Sequence, residues 1–133
     1  MNSELENIFM QVQKPGRYTG GEYGQIIKDK EKVKARFAFC FPDNYEVGMS
    51  HLGIKILYSC LNNMDNVWCE RCFAPWEDME AQLRENNIPL FALESRDPLR
   101  DFDFIGFTMQ YEMSYTNILD MLDMGGIPVR TCD

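Results

Sequence analysis

Phe37-Ala-Phe-Cys-Phe-Pro-Asp-Asn-Tyr-Glu-Val-Gly-Met-Ser-His-Leu-Gly53 runs from an apolar strand through a polar loop into a helix, and it carries the only histidine of the chain. Residues 36–41 are short, almost wholly apolar and stopped by Pro42, the pattern of a central strand buried on both faces. Ser50 is placed to cap the helix that follows. Leu52, Ile56, Leu57, Cys60 and Leu61 then recur at three- and four-residue steps until Asn62-Asn63 ends the pattern. In an open α/β sheet, ligands bind beyond the carboxyl ends of such strands, where loops diverge and helix N-termini point their N–H groups inward. The loop is therefore the first place to expect function.

Working outward, Val67–Phe73 reads as a second strand nearer an edge. Pro75 suits the first position of a second helix, Glu77, Asp78 and Glu80 complement its positive end, and Trp76, Met79 and Leu83 form its apolar stripe. Asn86-Asn87 ends it. Residues 89–93 read as a third strand, 94–100 as a polar loop and 102–109 as a fourth strand. Tyr115, Ile118, Leu119 and Leu122 share one face of a helix over 113–124, Gly125 is suited to a left-handed cap, and 127–130 begin a fifth strand. Residues 1–36 hold turn formers and no sustained period, the signature of an arm wrapping something larger, with a short edge strand at 23–27.

This alternation predicts a flavodoxin-like or Rossmann-like α/β domain over 37–133, a three-layer doubly wound parallel sheet truncated after strand 4 or 5. The expected strand order is 2-1-3-4. Loops 42–50, 94–100 and 109–113 then converge at the switch point between strands 1 and 3.

A chain of 133 residues accommodates one domain, and its net charge of −8 repels a phosphate backbone, so no direct nucleic-acid partner is expected. Lys28, Lys30, Lys32, Lys34 and Arg36 against Asp29 and Glu31 leave a local +3, and −11 elsewhere. That strip is read as a solvated connector, or as a docking strip for an acidic surface. No apolar run reaches the roughly 20 residues of a membrane span, and the acidic N-terminus lacks the features of a secretory signal, which predicts a cytoplasmic protein.

Five cysteines, an odd number, argue for thiols rather than a disulfide frame. Cys69-Glu-Arg-Cys72 has metal or redox spacing. It falls in a strand, however, where residues three apart face opposite ways, and no second ligand pair is near. A structural role is expected for both.

No G-x-G-x-x-G follows the first strand and no phosphate-loop motif occurs, which removes dinucleotide and nucleoside triphosphate binding. A phosphoacceptor receiver lacks its acid pair and lysine, and a flavin carrier lacks the Ser/Thr/Gly phosphate loop. Asp43 and Glu46 are a candidate carboxylate pair, and His51 a candidate metal ligand or proton carrier. No nucleophile, base and orienting group come together, so the chain alone is not expected to be a catalyst.

The run 12–22, Val-Gln-Lys-Pro-Gly-Arg-Tyr-Thr-Gly-Gly-Glu, carries a resemblance together with the run 41–53, Phe73-Ala-Pro-Trp76, Leu93-Glu-Ser95, Asp103-Phe-Ile-Gly-Phe107 and Gln110-Tyr-Glu112. In this order they resemble the N-terminal region of a bacterial radical S-adenosylmethionine protein family that carries a cobalamin-binding-like domain ahead of its catalytic barrel. The resemblance implies a crevice that faces a corrinoid or an evolved remnant of that site, lined by Asp43, Tyr45, Glu46, Ser50, His51 and Thr108. His51 is then the candidate axial cobalt ligand. Against the family's D-x-H-x-x-G pattern, Met49 replaces the Asp and Ile54 the Gly; Thr108-Met-Gln110 stands where S-x-L is expected. The resemblance also implies a parent enzyme that forms a 5′-deoxyadenosyl radical from S-adenosylmethionine at a 4Fe-4S cluster. The cluster's cysteine motif is absent here, so this piece binds neither. The downstream barrel is the implied partner, with a homodimer of the fragment as a further expectation. The other reading is a docking module that keeps the fold without a cofactor, packing through Tyr111, Trp76 and the arm.

Overall fold

The structure, a computed structural model, describes residues 2–132. Three strands, β1 (Ala35–Phe41), β2 (Val67–Phe73) and β3 (Phe104–Phe107), form a parallel sheet in the order β2-β1-β3. Five α-helices among the described residues accompany them: α1 (Asn2–Phe9), α2 (Tyr45–Met49), α3 (Leu52–Asn62), α4 (Glu77–Glu85) and α5 (Ser114–Met124). The fold is α/β with helices on both sides of a parallel sheet, consistent with a flavodoxin-like or Rossmann-like arrangement. β1 is central, as an apolar run without alternation requires.

Alternation along β1 divides the core. Ala38 and Cys40 face one layer, where α1, α4 and α5 contribute Leu5, Ile8, Phe9, Met79, Leu83, Met121 and Met124. Phe39 and Phe41 face the other, where Ile54 and Tyr58 of α3 pack with Phe73 and Leu93. Small side chains on the first face let three helices approach; aromatic ones on the second fill the space under α3 and the short α2. Gly48 belongs to this second layer, where a Cβ would collide with the Phe73 ring.

The segment ahead of β1 is tied to this same domain. Leu5, Ile8, Phe9, Val12 and Tyr18 are buried in the first layer, and the Tyr18 hydroxyl accepts from the Trp76 N–H at 3.1 Å. The basic strip is neither a solvated connector nor a docking strip throughout. Lys28 donates to the carbonyls of Asn62, Met64 and Val67 at 2.8, 2.9 and 2.6 Å, clipping the end of α3 to the start of β2, where the helix dipole favours a cation. Residues 23–27 form no strand; the Ile26 N–H instead donates to the Tyr58 hydroxyl and its carbonyl accepts from Trp68 Nε1.

The expected third strand is not one. Leu93 N–H donates to the Arg71 carbonyl at 2.7 Å, Cys72 Sγ to the Phe91 carbonyl, and Ser95 N–H to Glu70 Oε1. The segment thus runs back along the free edge of β2, antiparallel to it, and its one bridge pairs Phe91 with Pro98. Pro89 and Pro98 withhold donors, and Glu94 supplies a side chain where a ladder would need backbone. The expected fourth strand shortens to β3 and takes the place beside β1, so the order 2-1-3-4 becomes β2-β1-β3. Residues 127–130 form no fifth strand.

Helix ends follow local chemistry. His51, not Ser50, caps α3; Ser50 ends α2, its Oγ donating to the Glu46 carbonyl at 2.7 Å. At the end of α5 it is Gly126, at φ +70°, that takes the left-handed position expected of Gly125. Trp76 precedes α4 and is exposed, whereas Met79 and Leu83 are buried as their spacing predicts.

The faces of α3 and α5 depart most from expectation. On α3 the buried positions are Ile54, Tyr58 and Asn62, leaving Leu52, Ile56, Leu57 and Cys60 exposed. Asn62 explains part of this, because its amide donates to the Cys69 carbonyl at 3.0 Å and accepts from the Cys69 N–H at 2.9 Å, extending the sheet. On α5 the buried set is Ser114, Met121 and Met124, with Tyr115 and Leu119 outward.

Candidate functional site

The chain reverses direction across the sheet between β1 and β3, and there the loops after both strands meet at the carboxyl rim. Asn117 Nδ2 on α5 donates to the Pro42 carbonyl at 2.9 Å, and the Thr108 N–H donates to the Cys40 carbonyl at 3.3 Å. An open cleft of about 290 Å³ lies at this rim, lined by Asp43, Trp76, Glu77, Glu80, Asn117 and Asp120 among others. Four of these are carboxylates, which disfavours an anionic ligand. Arg84 spans α4 and α5, pairing with Glu80, Asp120 and Asp123 at 2.9, 2.7 and 3.0 Å. Burial raises the Asp120 pKa, with the charge of Glu80 adding to the effect and Arg84 opposing it.

Of the six residues expected to line one crevice, Asp43 alone is in this cleft. Loop 94–100 does not converge there: Asp97 pairs with Arg36 Nη1 at 2.9 Å, near the amino end of β1. Tyr45 and Glu46 turn toward the N-terminal segment. The Tyr45 hydroxyl bonds Glu22, its ring meets Phe73 edge-on at 5.6 Å, and Glu46 pairs with Arg17 at 2.8 Å and Lys14 at 3.7 Å. Thr108 accepts from the Gln110 amide.

Burial, with Glu22 adding, pushes the Tyr45 phenol up to about 12. A pKa raised on folding means a contribution present in full below the ordinary phenol value of 10.0 and lost as pH climbs through 12. The stability difference between the wild type and Tyr45→Phe, measured by urea unfolding, is therefore expected to shrink across that interval. A difference constant with pH would refute the tether.

His51 sits at the rim with its ring 5.2 Å from that of Phe41, and Nδ1 accepts from the Ile54 N–H at 3.3 Å. Gly53 permits this, since a Cβ there would come within 2.8 Å of His51 Cε1. A neutral imidazole that accepts at Nδ1 carries its proton on Nε2. Ligation of cobalt through Nε2 requires the reverse, a bare Nε2 with Nδ1–H held by a carboxylate or carbonyl. Residues around His51 therefore do not fit an axial ligand. Among the described residues no three His, Cys, Asp or Glu side chains are grouped to hold a metal ion.

Cys69 and Cys72 fall in opposite core layers, as strand geometry requires. Burial pushes the Cys69 thiol up to about 12, and Cys72, beside Cys40 on β1, is raised as well. Iodoacetamide at pH 8 is expected to modify the exposed Cys60 and Cys132, sparing Cys40, Cys69 and Cys72 until the protein is unfolded. Native labelling of Cys69 or Cys72, read by mass spectrometry, would overturn their assignment to the core.

Sequence reading missed the two residues between those cysteines. Glu70, fully buried, accepts from Arg36 Nη2 at 2.5 Å, and Arg71 Nε donates to Glu94 at 2.8 Å. Arg36 lies over Trp68 and Phe102, and Arg71 over Tyr58. Charged residues inside a strand bounded by apolar positions were the available signal.

Comparison with known families matches residues 53–133 to the family described as radical SAM proteins, N-terminal. The chain belongs to this family. No curated protein and no solved structure is similar enough to be matched. Its membership makes it an N-terminal module of a radical SAM protein, and no helix among the described residues is long and apolar enough to cross a membrane.

Proposed function

We propose that this radical SAM N-terminal domain is a non-catalytic docking module that packs against the downstream catalytic barrel of its parent protein. The observation that carries the reading is the outward placement of the apolar faces of α3 and α5. Leu52, Ile56 and Leu57 on one helix, and Tyr115 and Leu119 on the other, face away from the core, whereas Ile54 on the first and Met121 and Met124 on the second are buried. α3 and α5 cover opposite faces of the sheet, and the outer edge of β3 lies between those faces. Phe104 is 59% exposed there, and no charged residue or proline guards the Phe104–Phe107 strand. Met109, Tyr111 and Met113, all exposed, continue the surface at the rim.

In this reading the crevice is a remnant of a corrinoid site. His51 serves as a helix cap, and Asp43 lines an acidic cleft. Hydrogen exchange tests the proposal directly, comparing this chain alone with the same residues in the full-length protein. Added protection at 52–57 and 104–119 is expected, and its absence would remove the docking role. Hydroxocobalamin titrated into the chain is expected to leave both its visible spectrum and the protein's Tm unchanged. A saturable shift in either would restore corrinoid binding.

A further inference from the structure

At the opposite edge of the sheet from β3, an open cleft of about 340 Å³ lies between the 23–26 loop, Met49 and α3, with Arg71 in its lining. Arg71 is 5% exposed. Its Nε and backbone N–H are taken by the two oxygens of Glu94, both at 2.8 Å. The other two guanidinium nitrogens find no oxygen: Nη1 reaches only Met49 Sδ at 3.6 Å, and Nη2 has no hydrogen-bond partner. Stacking at 4.2 Å over Tyr58 satisfies the flat face of the guanidinium, but its N–H donors lie in the plane. Buried donors without acceptors are rare because each costs free energy.

Lys55 and Ser59, one turn apart on α3, line the same cleft. Glu94 neutralises Arg71, so Lys55 leaves this cleft locally positive in a chain of net charge −8. We propose that the cleft is an oxyanion subsite that takes a small phosphate or carboxylate group. Nη1 and Nη2 form the two-pronged fork that matches a pair of oxygens. Met49, unbranched and partly buried at the margin of the second core layer, changes rotamer to yield its place to the ligand. Lys55 supplies the second positive charge and Ser59 a hydroxyl. The proposal does not rest on the docking role, although Lys55 and Ser59 share α3 with the outward residues Leu52, Ile56 and Leu57.

Calorimetric titration of this chain with inorganic phosphate and with acetate, at ionic strength matched by chloride, tests it. Saturable binding of at least one anion is expected, together with a Tm that rises over the chloride control. Lys55→Glu, on an exposed position, is expected to weaken that binding by about tenfold or more. Ser59→Trp fills the cleft and leaves the Arg71–Glu94 pair intact, and it is expected to abolish binding. Arg71→Lys keeps a charge for Glu94 but loses the fork, and is expected to bind no better than Lys55→Glu. The tighter of the two anions names the ligand's head group. Equal Tm values in phosphate, acetate and chloride would overturn the proposal, and so would binding that survives both Lys55→Glu and Ser59→Trp.

Discussion

A chain lacking residues 1–18 is expected to lose its cooperative thermal transition and to bind a hydrophobic dye at room temperature. Leu5, Ile8, Phe9, Val12 and Tyr18 are all buried and pack with Cys72, Met79, Leu83 and Phe91 in the larger core layer. At about 1.5–3 kcal/mol for each buried apolar side chain, these five contribute roughly as much as the 5–15 kcal/mol that separates a typical folded domain from its unfolded chain. Deletion therefore removes the margin of stability together with one wall of the core. Leu5→Ala is the graded form of the experiment. It is expected to cost about 2–5 kcal/mol in urea unfolding, since the side chain is fully buried. A truncated protein with an unchanged calorimetric transition would show that the segment is an appendage.

The second large effect is expected at Glu70. Its carboxylate holds Arg36 Nη2 on one oxygen and the Ser95 N–H, at 2.9 Å, on the other. Glu70→Ala leaves a largely buried guanidinium, its side chain 11% exposed, stacked on Trp68 and Phe102 with Asp97 as its remaining anion. Breaking one side of a buried pair costs about 3–5 kcal/mol, and Asp97 places this case toward the lower end. Replacing both partners, Arg36→Met with Glu70→Leu, is expected to recover most of the loss, because the charge and its desolvation then leave together. A double variant no more stable than Glu70→Ala would mean that the site depends on the Ser95 contact and not on the ion pair.

The carboxylate of Glu94, on the other flank of β2, behaves differently. Burial raises its pKa despite Arg71 beside it. A folded-state pKa raised above the unfolded value contributes stability below the ordinary carboxyl range, lost as pH rises through the folded value. Glu94 therefore does not drive acid unfolding.

Legibility of the fold tracked how local the cause was. Arg36 to Phe41 read as a central strand because a run without alternation is stable only with both faces covered. Val67–Phe73 and the ends of α3 and α4 at asparagines were equally plain, since strand and cap chemistry act within a few residues. The separation of Cys69 from Cys72 followed from the period of two. Residues 89–93 failed for a reason of the same kind in reverse. Their composition suits a strand, but the pairing partner was decided by Glu94 and Ser95 reaching Arg71 and Glu70, contacts between segments about 23–25 positions apart.

The candidate site was legible in place but not in membership. The loop after the first strand does lie at the carboxyl rim, yet Tyr45 and Glu46 were claimed by Glu22 and Arg17 of the N-terminal segment. No periodicity in 1–36 announced that claim.

From its residues alone this chain fixed its class: apolar runs separated by helical periods leave a parallel sheet with crossover helices as the arrangement that buries them. Tertiary structure alone decided which face each helix shows to that sheet. Periodicity reports where a helix is apolar, but Asn62 bonding Cys69 and Tyr58 under Arg71 turned α3 so that its most apolar stripe faces outward. Hydrogen bonds and stacking at fixed distances select one rotation of a helix, whereas hydrophobic burial, being non-directional, accepts any partner that covers the stripe.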